Sequence, residues 1–313
     1  MVSNEKSRTI MLMLGKSPEF LAARVLTRMP EEMRRPQISE WGNANSAGRI
    51  VDSFLEGPCY DAAGSLYLVD IPHGRILRIS RSLEWECIHE DDGWPNGLAL
   101  NNKDGSIWIA DYRKGIRRLD PASGQVETVL GHRNTESFKG VNDLVFDVNG
   151  RLYFTDQGQS GLQDPSGRVY RLDTDGRLDA LLVNGASPNG LAISPDMRVL
   201  YVAMTRANQI WRGPIQADGS LTKVCALQTF FGVAGPDGLA LDRHGRLLVA
   251  HPGLSGLFIL NERGVVTHFV HSPLANSSVT NVTCCPDGDR IVMTDSRNGC
   301  ILEADLPAPS TDA

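Results

Sequence analysis

One pattern recurs six times along the 313-residue chain, and it restricts the possible fold more than any other feature of the sequence. Each copy has a short alternating strand, a turn that contains Gly or Asp, and a second strand rich in Leu, Tyr, Val and Ile. The first residues of the copies, here called the anchors, are 40 to 48 positions apart: Glu56, Asn96, Asn142, Asn189, Asp237 and Asn281. A period in the forties with about four strands per copy is typical of a propeller. The sequence therefore predicts an all-β fold, a six-bladed β-propeller with an N-terminal arm.

The segments outside the repeats complete this domain organisation. Residues 1–36 are interpreted as the N-terminal arm and residues 37–313 as the propeller. Within the arm, Ser17 and Pro18 predict the start of a short helix that runs to about Met29, because Ser is a good N-cap and Pro is favoured at the first helical position. We therefore expect the arm to lie outside the main repeat.

Closure of the ring requires one further strand. Propellers usually pair a strand from one terminus with the blade at the other end, so that no sheet edge is left open. Residues 37–55 are placed to supply the outer strand of the last blade. The alternative is a seven-bladed ring with a degenerate blade in residues 1–55. Because that stretch lacks the repeated pattern, the six-bladed ring is the prediction.

Composition and charge exclude several functional classes. The formal net charge is −6, and the acidic excess is spread along the chain, which argues against a nucleic-acid-binding surface. No apolar run approaches the roughly 20 residues that a membrane-spanning helix needs. The six cysteines include no C-x-x-C pair, and the apolar stretch Met11–Leu14 is too short for the core of a signal peptide. We therefore expect buried or half-buried free thiols, a cytoplasmic location and no membrane partner; the oligomeric state stays open.

Equivalent positions in successive blades form rings around the axis of a propeller, and the six anchors form the first ring. Every anchor has a side-chain oxygen. Turn chemistry accounts for single Asn-Gly and Asp-Gly pairs, but it explains neither Glu56 nor the convergence of acids and amides on one axis. Two carboxylates, Glu56 and Asp237, together with amide oxygens such as those of Asn142 and Asn189, form a set of the kind that Ca²⁺ prefers. Zinc is disfavoured, because the ring contains no His or Cys.

The ends of the second strands form a second ring: Asp70, Asp111, Asp156, Met204, His251 and Asp295. Aspartates at such positions commonly accept backbone hydrogen bonds in the neighbouring turn. Met204 and His251 interrupt the series and are therefore candidates for substrate contact. His73, three residues after Asp70, is the one further histidine expected near the mouth of the channel.

Four of the copies carry motifs that resemble one known family, the senescence-marker-protein/gluconolactonase group of sugar-lactone hydrolases. The motifs are LEGP at 55–58, GVNDL at 140–144, SPNGLAIS at 187–194 and GPDGLALD at 235–242. The resemblance covers roughly residues 50–306. It implies a six-bladed propeller that acts on a small-molecule lactone and holds a divalent cation at the top of the channel, commonly Ca²⁺, with Mn²⁺ or Mg²⁺ as possible replacements.

The resemblance also implies roles for individual residues. The implied metal ligands are Glu56, Asn142, Asn189 and Asp237. Asp237 is also the implied general base. Asn96 and Asn281 are expected beside the metal, and Asn96, like His73, is a candidate for substrate binding. Members of the family often have an arginine two residues before the third-blade asparagine, where this chain has Gly140 next to Lys139. Lys139 is therefore a candidate for substrate binding, and so is Gln157, at the start of the long loop 157–168.

Lactone hydrolysis, through a carbonyl polarised by Ca²⁺ and a water activated by Asp237, is the predicted function. The sequence contains no G-x-S-x-G element, so a Ser-His-Asp mechanism is not suggested. Two alternatives remain open: an arylester or phosphotriester hydrolase on the same site, and a non-enzymatic propeller that binds a peptide or protein through its loops. A binding scaffold would not need Glu56 and Asp237 at one axial register.

Overall fold

The computed structural model describes residues 17–308, in which five four-stranded sheets and one five-stranded sheet are arranged as the six blades of a β-propeller. Two strands precede the first blade: β1 (Glu19–Ala22) and β2 (Arg24–Arg28). Blade 1 contains β3 (Leu55–Tyr60), β4 (Leu66–Asp70), β5 (Arg75–Ile79) and β6 (Trp85–Glu90). Blade 2 contains β7 (Pro95–Leu100), β8 (Ile107–Asp111), β9 (Gly115–Leu119) and β10 (Val126–Leu130), followed by the short hairpin β11 (His132–Arg133) and β12 (Glu136–Ser137).

The remaining blades repeat this antiparallel order. Blade 3 contains β13 (Val141–Phe146), β14 (Leu152–Asp156), β15 (Gly167–Leu172) and β16 (Leu178–Gly185). Blade 4 contains β17 (Pro188–Ile193), β18 (Val199–Met204), β19 (Gln209–Pro214) and β20 (Cys225–Thr229). Blade 5 contains β21 (Leu239–Leu241), β22 (Leu247–His251), β23 (Gly256–Leu260) and β24 (Val266–His271), and blade 6 contains β25 (Val279–Cys284), β26 (Arg290–Asp295) and β27 (Cys300–Asp305). The predicted six-bladed propeller is confirmed.

The ring closes through the N-terminal strands. Strand β2 pairs antiparallel with β27 as the outer strand of blade 6, and β1 adds to blade 5 in parallel with β24. The closing strand is therefore residues 24–28, and the prediction that residues 37–55 supply it is wrong. The helix predicted from Ser17 to Met29 is also wrong. Its residues pair with open sheet edges and bury Ala23 between blades, which stabilises them more than a short isolated helix would be stabilised in water.

Residues 37–54 instead cross the mouth of the channel, and we call them the cover segment. It contains helix α1 (Glu40–Asn45), which Ser39 caps by accepting a hydrogen bond from the Gly42 amide at 3.0 Å. Trp41 is buried and packs against the Phe54 ring at a centroid distance of 4.6 Å. Trp41 also packs in one core cluster with Tyr67 and Val69, which fixes the cover segment to blade 1.

The hydrophobic core is divided into six clusters, each shared by two neighbouring blades. One cluster joins blade 3 to blade 4 through Tyr153 and Val202, and another joins blade 6 to blade 1 through Ile301 and Leu68. The apolar side chains fill the space between blades, and the innermost strand of each blade surrounds an axial channel. The fold thereby places the anchors around one axis.

The cysteines and the helices test two further expectations. All six cysteines are free; four are buried or half-buried, as predicted, whereas Cys87 and Cys225 are exposed. Within residues 17–308 there is no helix with the length and hydropathy that a bilayer crossing requires. The stretch Met11–Leu14 lies outside the described residues.

Candidate active site at the channel mouth

The inner strand of most blades is irregular at its anchor. The pairing register shifts between Glu56 and Cys59 in blade 1, between Val141 and Leu144 in blade 3, and between Pro188 and Leu191 in blade 4. Such bulges change the direction of a side chain without ending the strand. They account for anchors that line the channel although the strands around them pair regularly.

Glycines after the anchors let neighbouring blades approach closely. A Cβ atom on Gly190 would lie 2.4 Å from the backbone oxygen of Asp237, and one on Gly238 would lie 2.1 Å from Oδ1 of Asn281. Asn189-Gly190 also lies inside β17 and not in a turn. Close packing of the inner strands, rather than turn formation, therefore explains this recurring dipeptide.

Five of the six anchors line one cavity of about 270 Å³, which we call the axial cavity. They are Glu56, Asn96, Asn142, Asn189 and Asp237. The sixth, Asn281, lies below it and donates a hydrogen bond from Nδ2 to Oε2 of Glu56 at 2.8 Å. The fold thus brings together all four residues that were predicted to be metal ligands, and Asn281 orients one of them.

Of the two carboxylates of the cavity, Glu56 is buried and Asp237 is half-buried, and removal from water disfavours their charged forms. Burial raises the pKa of Glu56 to about 7, although hydrogen bonds from Asn281 and from the Gly57 amide oppose the shift. The pKa of Asp237 is raised well above its usual value by burial and by the charges of Glu56 and Asp143, while Asn189 opposes the shift. A cation between the two carboxylates would relieve this cost.

Asn142 provides a direct test of whether the site fits a metal. Its Nδ2 donates to Oε1 of Gln157 at 3.1 Å, and Nε2 of Gln157 in turn donates to the Ser187 hydroxyl at 2.9 Å. Oδ1 of Asn142 is buried and has no hydrogen-bond partner within residues 17–308. An unpaired buried acceptor is costly unless it binds a ligand. Two carboxylates and amide oxygens, with no sulfur or imidazole, fit a hard cation such as Ca²⁺.

Comparison with known proteins identifies the family of the chain. The sequence pattern of the SMP-30/gluconolactonase/LRE-like region matches residues 54–297. The chain belongs to this family.

Its relatives in this family include lactone-cleaving enzymes by name. The chain is 35% identical over 187 residues to a gluconolactonase from Zymomonas mobilis, a match that covers 54% of this chain and 52% of that protein. It is 30% identical over 221 residues to lactonase drp35 from Staphylococcus epidermidis, covering 67% of each chain. The chain thus spans about half of the Zymomonas enzyme and two thirds of the staphylococcal one.

Solved structures show the same fold. A gluconolactonase from Xanthomonas campestris superimposes with a TM-score of 0.72 at 24% identity, covering 91% of this chain and 99% of that one. A calcium-binding protein, regucalcin, from Agrobacterium tumefaciens superimposes with a TM-score of 0.70 at 20% identity, covering 92% and 95%. The fold is therefore shared with these proteins at low sequence identity.

Of the six residues predicted to bind substrate, Asn96 and Gln157 line the axial cavity. His251 and Met204 do not: both side chains are fully buried outside it. The His251 ring packs edge-on against Phe230 and Phe258, and burial lowers its pKa to about 4. Met204 belongs to the core between blades 3 and 4. The structure therefore corrects the prediction that these two residues contact substrate.

His73 and Lys139 also lie outside the cavity. His73 contacts Nε2 of Gln37 through Nδ1 at 3.1 Å and the Asp52 carbonyl through Nε2 at 3.2 Å, so it fastens the cover segment. Lys139 is exposed and donates to the Ser166 hydroxyl at 2.8 Å. A Cβ on its neighbour Gly140 would lie 2.3 Å from the Tyr112 ring. Tyr112 therefore fills the space beside the position at which the family often has arginine.

The four aspartates of the second ring are structural, as their position suggested. Each accepts a hydrogen bond from a backbone amide two or three residues before an anchor. The bonds run from Phe54 to Asp70 (2.7 Å), from Trp94 to Asp111 (3.0 Å), from Gly140 to Asp156 (2.8 Å) and from Ser278 to Asp295 (3.0 Å). These aspartates position the loops that lead to the anchors.

An aromatic wall and one arginine at the cavity were not predicted from the sequence. Trp41, Phe54, Trp94 and Tyr112 line the side of the cavity formed by the cover segment and blades 1 and 2. Arg206 lines the opposite side, next to blade 4. Trp94 could have been predicted from the repeat, because it lies two residues before an anchor. Trp41 could not, because it belongs to the cover segment outside the repeat.

Proposed function

We propose that this protein is a metal-dependent hydrolase that opens a small lactone, either a sugar lactone or a related ring. One observation carries the proposal: four oxygen-bearing anchors from four blades converge on the axial cavity, and the buried Oδ1 of Asn142 is left unpaired within residues 17–308. The names of its relatives in the family support the same class of substrate.

Glu56, Asn142, Asn189 and Asp237 would hold the cation, which we propose to be Ca²⁺. When bound, a divalent cation supplies a Lewis acid that polarises the ester carbonyl and stabilises developing negative charge. Asn281 keeps Glu56 oriented from below, and Gln157 keeps the Asn142 amide oriented from the side. The chain therefore controls the direction of both types of ligand.

Asp237 is the proposed general base. Its carboxylate accepts a proton from the attacking water while the water oxygen forms a bond to the lactone carbonyl carbon. The ring C–O bond then breaks, and the proton passes from Asp237 to the departing alkoxide oxygen, which yields a hydroxy acid. The aromatic wall holds the apolar face of the ring and limits the entry of further water.

The proposal is tested with a panel of δ- and γ-lactones, an aryl ester and a phosphotriester. Each is incubated with metal-loaded protein and with protein in excess chelator, and bound metal is measured by elemental analysis. We expect fastest turnover of a lactone, loss of activity in chelator, and recovery with Ca²⁺, Mn²⁺ or Mg²⁺ to different degrees. Full activity in metal-free protein contradicts the proposed chemistry. Faster turnover of the aryl ester or phosphotriester supports the alternative hydrolase instead.

A further inference from the structure

Arg206 occupies a position that joins two compartments at the channel mouth. It follows the end of β18 in a short 3-10 turn, Thr205–Ala207, and its side chain is exposed. It lines the axial cavity and also an adjoining pocket of about 440 Å³, which we call the side pocket. A molecule that extends from the axial cavity into the side pocket therefore passes the guanidinium.

Arg206 is chemically uncommitted, unlike its counterpart in blade 2. Arg113 also stands two residues after the end of a second strand, but it pairs with Glu40 and stacks on the Trp94 ring at 3.9 Å. Within the described chain, residues 17–308, the Arg206 side chain forms neither a hydrogen bond nor an ion pair. Its five N–H donors are thus available to a ligand.

Four side-chain amides line the side pocket, those of Asn45, Gln157, Gln159 and Gln163, and the first three already donate a hydrogen bond. Nε2 of Gln157 donates to Ser187, Nε2 of Gln159 donates to the Tyr112 hydroxyl at 3.1 Å, and Nδ2 of Asn45 donates to the Trp41 carbonyl at 3.0 Å. These contacts leave Arg206 as the strong donor of the side pocket.

The charges at the mouth indicate what Arg206 binds. The charged residues that line the axial cavity are Glu56, Asp237 and Arg206, and Arg206 alone is charged among those that line the side pocket. A divalent cation balances the two carboxylates, so one positive charge remains at the mouth. A ligand with one anionic group beside its reacting ring would complete the balance.

We propose that the substrate is a lactone with an anionic substituent, a carboxylate or a phosphate, and that Arg206 binds this group. The inference rests on the proposed lactonase function and specifies its substrate class. The lactone ring lies in the axial cavity against the aromatic wall, and the anionic group extends past Arg206 into the side pocket. Arginine suits both anions, because its planar fork donates two parallel hydrogen bonds to either.

The test compares lactones with and without an anionic group. One pair is 5-oxotetrahydrofuran-2-carboxylate and its carboxamide; the other is glucono-1,5-lactone 6-phosphate and glucono-1,5-lactone. We expect the parent protein to prefer the anionic member of at least one pair, and the pair that shows the preference identifies carboxylate or phosphate. Arg206→Gln should lower kcat/KM for the anionic member roughly 10- to 100-fold more than for the neutral member, mainly through KM. The ratio of the two is the readout, because the charge of Arg206 also lowers the pKa of Asp237 and so acts on both substrates alike.

Two further variants make the result specific. Arg198→Gln removes the same charge at the other end of β18, where the side chain is 83% exposed. It should leave kcat/KM unchanged for both members of each pair. Arg206→Lys retains the charge without the planar fork and should recover part of the preference. Equal kcat/KM for charged and neutral members in the parent, or an unchanged ratio in Arg206→Gln, overturns the inference.

Binding measurements decide the inference even if no lactone is opened. Tryptophan fluorescence, to which Trp41 and Trp94 of the cavity lining contribute, is titrated with the intact lactones of each pair, because a ring-opened acid would carry a carboxylate in both members. Tighter binding of the anionic member by the parent, lost in Arg206→Gln, supports the anion site while the lactonase proposal fails. Equal affinities in parent and variant overturn the anion site as well.

Discussion

The two ends of the central channel are formed by the same inner strands, yet their chemistry differs. At the mouth, the axial cavity of about 270 Å³ is lined by two carboxylates and three amides from the anchors. At the opposite end lies a larger cavity of about 450 Å³, lined largely by aliphatic side chains such as Leu100, Leu144 and Leu241. The repeat therefore determines the shape of the channel, and the polar anchors determine which end can perform chemistry.

Two polar residues mark the boundary between these ends. Asn281 and Asp143 both line the lower cavity. Asn281 supports the mouth from below through its hydrogen bond to Glu56. Asp143 accepts a hydrogen bond from the Leu144 amide at 2.8 Å, and burial raises the pKa of its carboxyl to about 8. We therefore predict different roles for the carboxylates of Glu56 and Asp143.

The largest effect is expected when Glu56 at the mouth and Asp143 at the boundary are each replaced by the corresponding amide. Glu56→Gln removes a charged ligand from the mouth and should lower both Ca²⁺ affinity and kcat/KM by more than about 100-fold, beyond the roughly 10- to 100-fold that supporting residues cost. Asp143→Asn retains an oxygen acceptor for the Leu144 amide and should keep metal content and activity within about threefold. Calcium titration calorimetry and lactone turnover measure both. Equal losses in the two variants would show that the two ends do not differ as described.

A smaller effect is expected at Gln157, which supports Asn142 without being a proposed ligand. Gln157→Leu removes the hydrogen bond that orients the Asn142 amide and should weaken Ca²⁺ binding roughly 10- to 100-fold. Gln159→Leu is the matched control, because Gln159 bonds Tyr112 and not an anchor. The measurement is Ca²⁺ affinity by calorimetry. If both variants bind Ca²⁺ as the parent does, the position of Asn142 does not depend on Gln157.

The close approach of the blades gives a third prediction, which concerns stability. A Cβ on Gly190 would meet the backbone of Asp237 and Leu239 within about 2.5 Å, so Gly190→Ala should cost roughly 1–3 kcal/mol of unfolding free energy and reduce activity. Gly131→Ala serves as the control, because its Cβ would meet its nearest atom at 3.6 Å. Urea unfolding of both variants checks the difference. An unaffected Gly190→Ala would mean that the inner strands can separate without cost.

The smallest effect at neutral pH is expected at His251, an unpaired polar group outside the channel. Both ring nitrogens lack a partner within residues 17–308, and burial holds the pKa at about 4, below the usual value of 6.5. Between these values the unfolded state binds more protons than the folded state, so stability is lost as pH falls from 6.5 towards 4. His251→Leu should reduce this loss by roughly 2 kcal/mol near pH 5 and leave lactone turnover unchanged at pH 7. Loss of turnover would instead show that His251 acts on the substrate.

The mouth could be predicted largely from sequence, because repetition encodes it. A fixed register brings Glu56, Asn142, Asn189 and Asp237 to one ring whatever the details of each turn. The same reasoning was wrong for Met204 and His251: side chains at the ends of the second strands contact the loops or pack between blades, and do not enter the channel. The aromatic wall and Arg206 were missed because their positions depend on the cover segment and on loop conformation, which the repeat does not determine.

The helix predicted in the N-terminal segment was wrong for a different reason. Ser17 and Pro18 give a local helix signal, but the open edges of blades 5 and 6 offer backbone partners that a local rule cannot include. Leu21 and Val25 alternate with Ala23 against the core between those blades. Tertiary pairing therefore overrides a short helix propensity here.

The most direct test of the account is a Ca²⁺ titration of lactone turnover for Asp237→Asn and the parent protein. Asparagine retains an oxygen that can ligate Ca²⁺, but it accepts no proton usefully. We expect Asp237→Asn to bind Ca²⁺ more weakly and, once saturated, to show kcat lower by roughly 10²–10⁴, the usual contribution of a positioned general base. Recovery of the parent kcat at saturating Ca²⁺ would contradict the account, because Asp237 would then be a ligand and not the base.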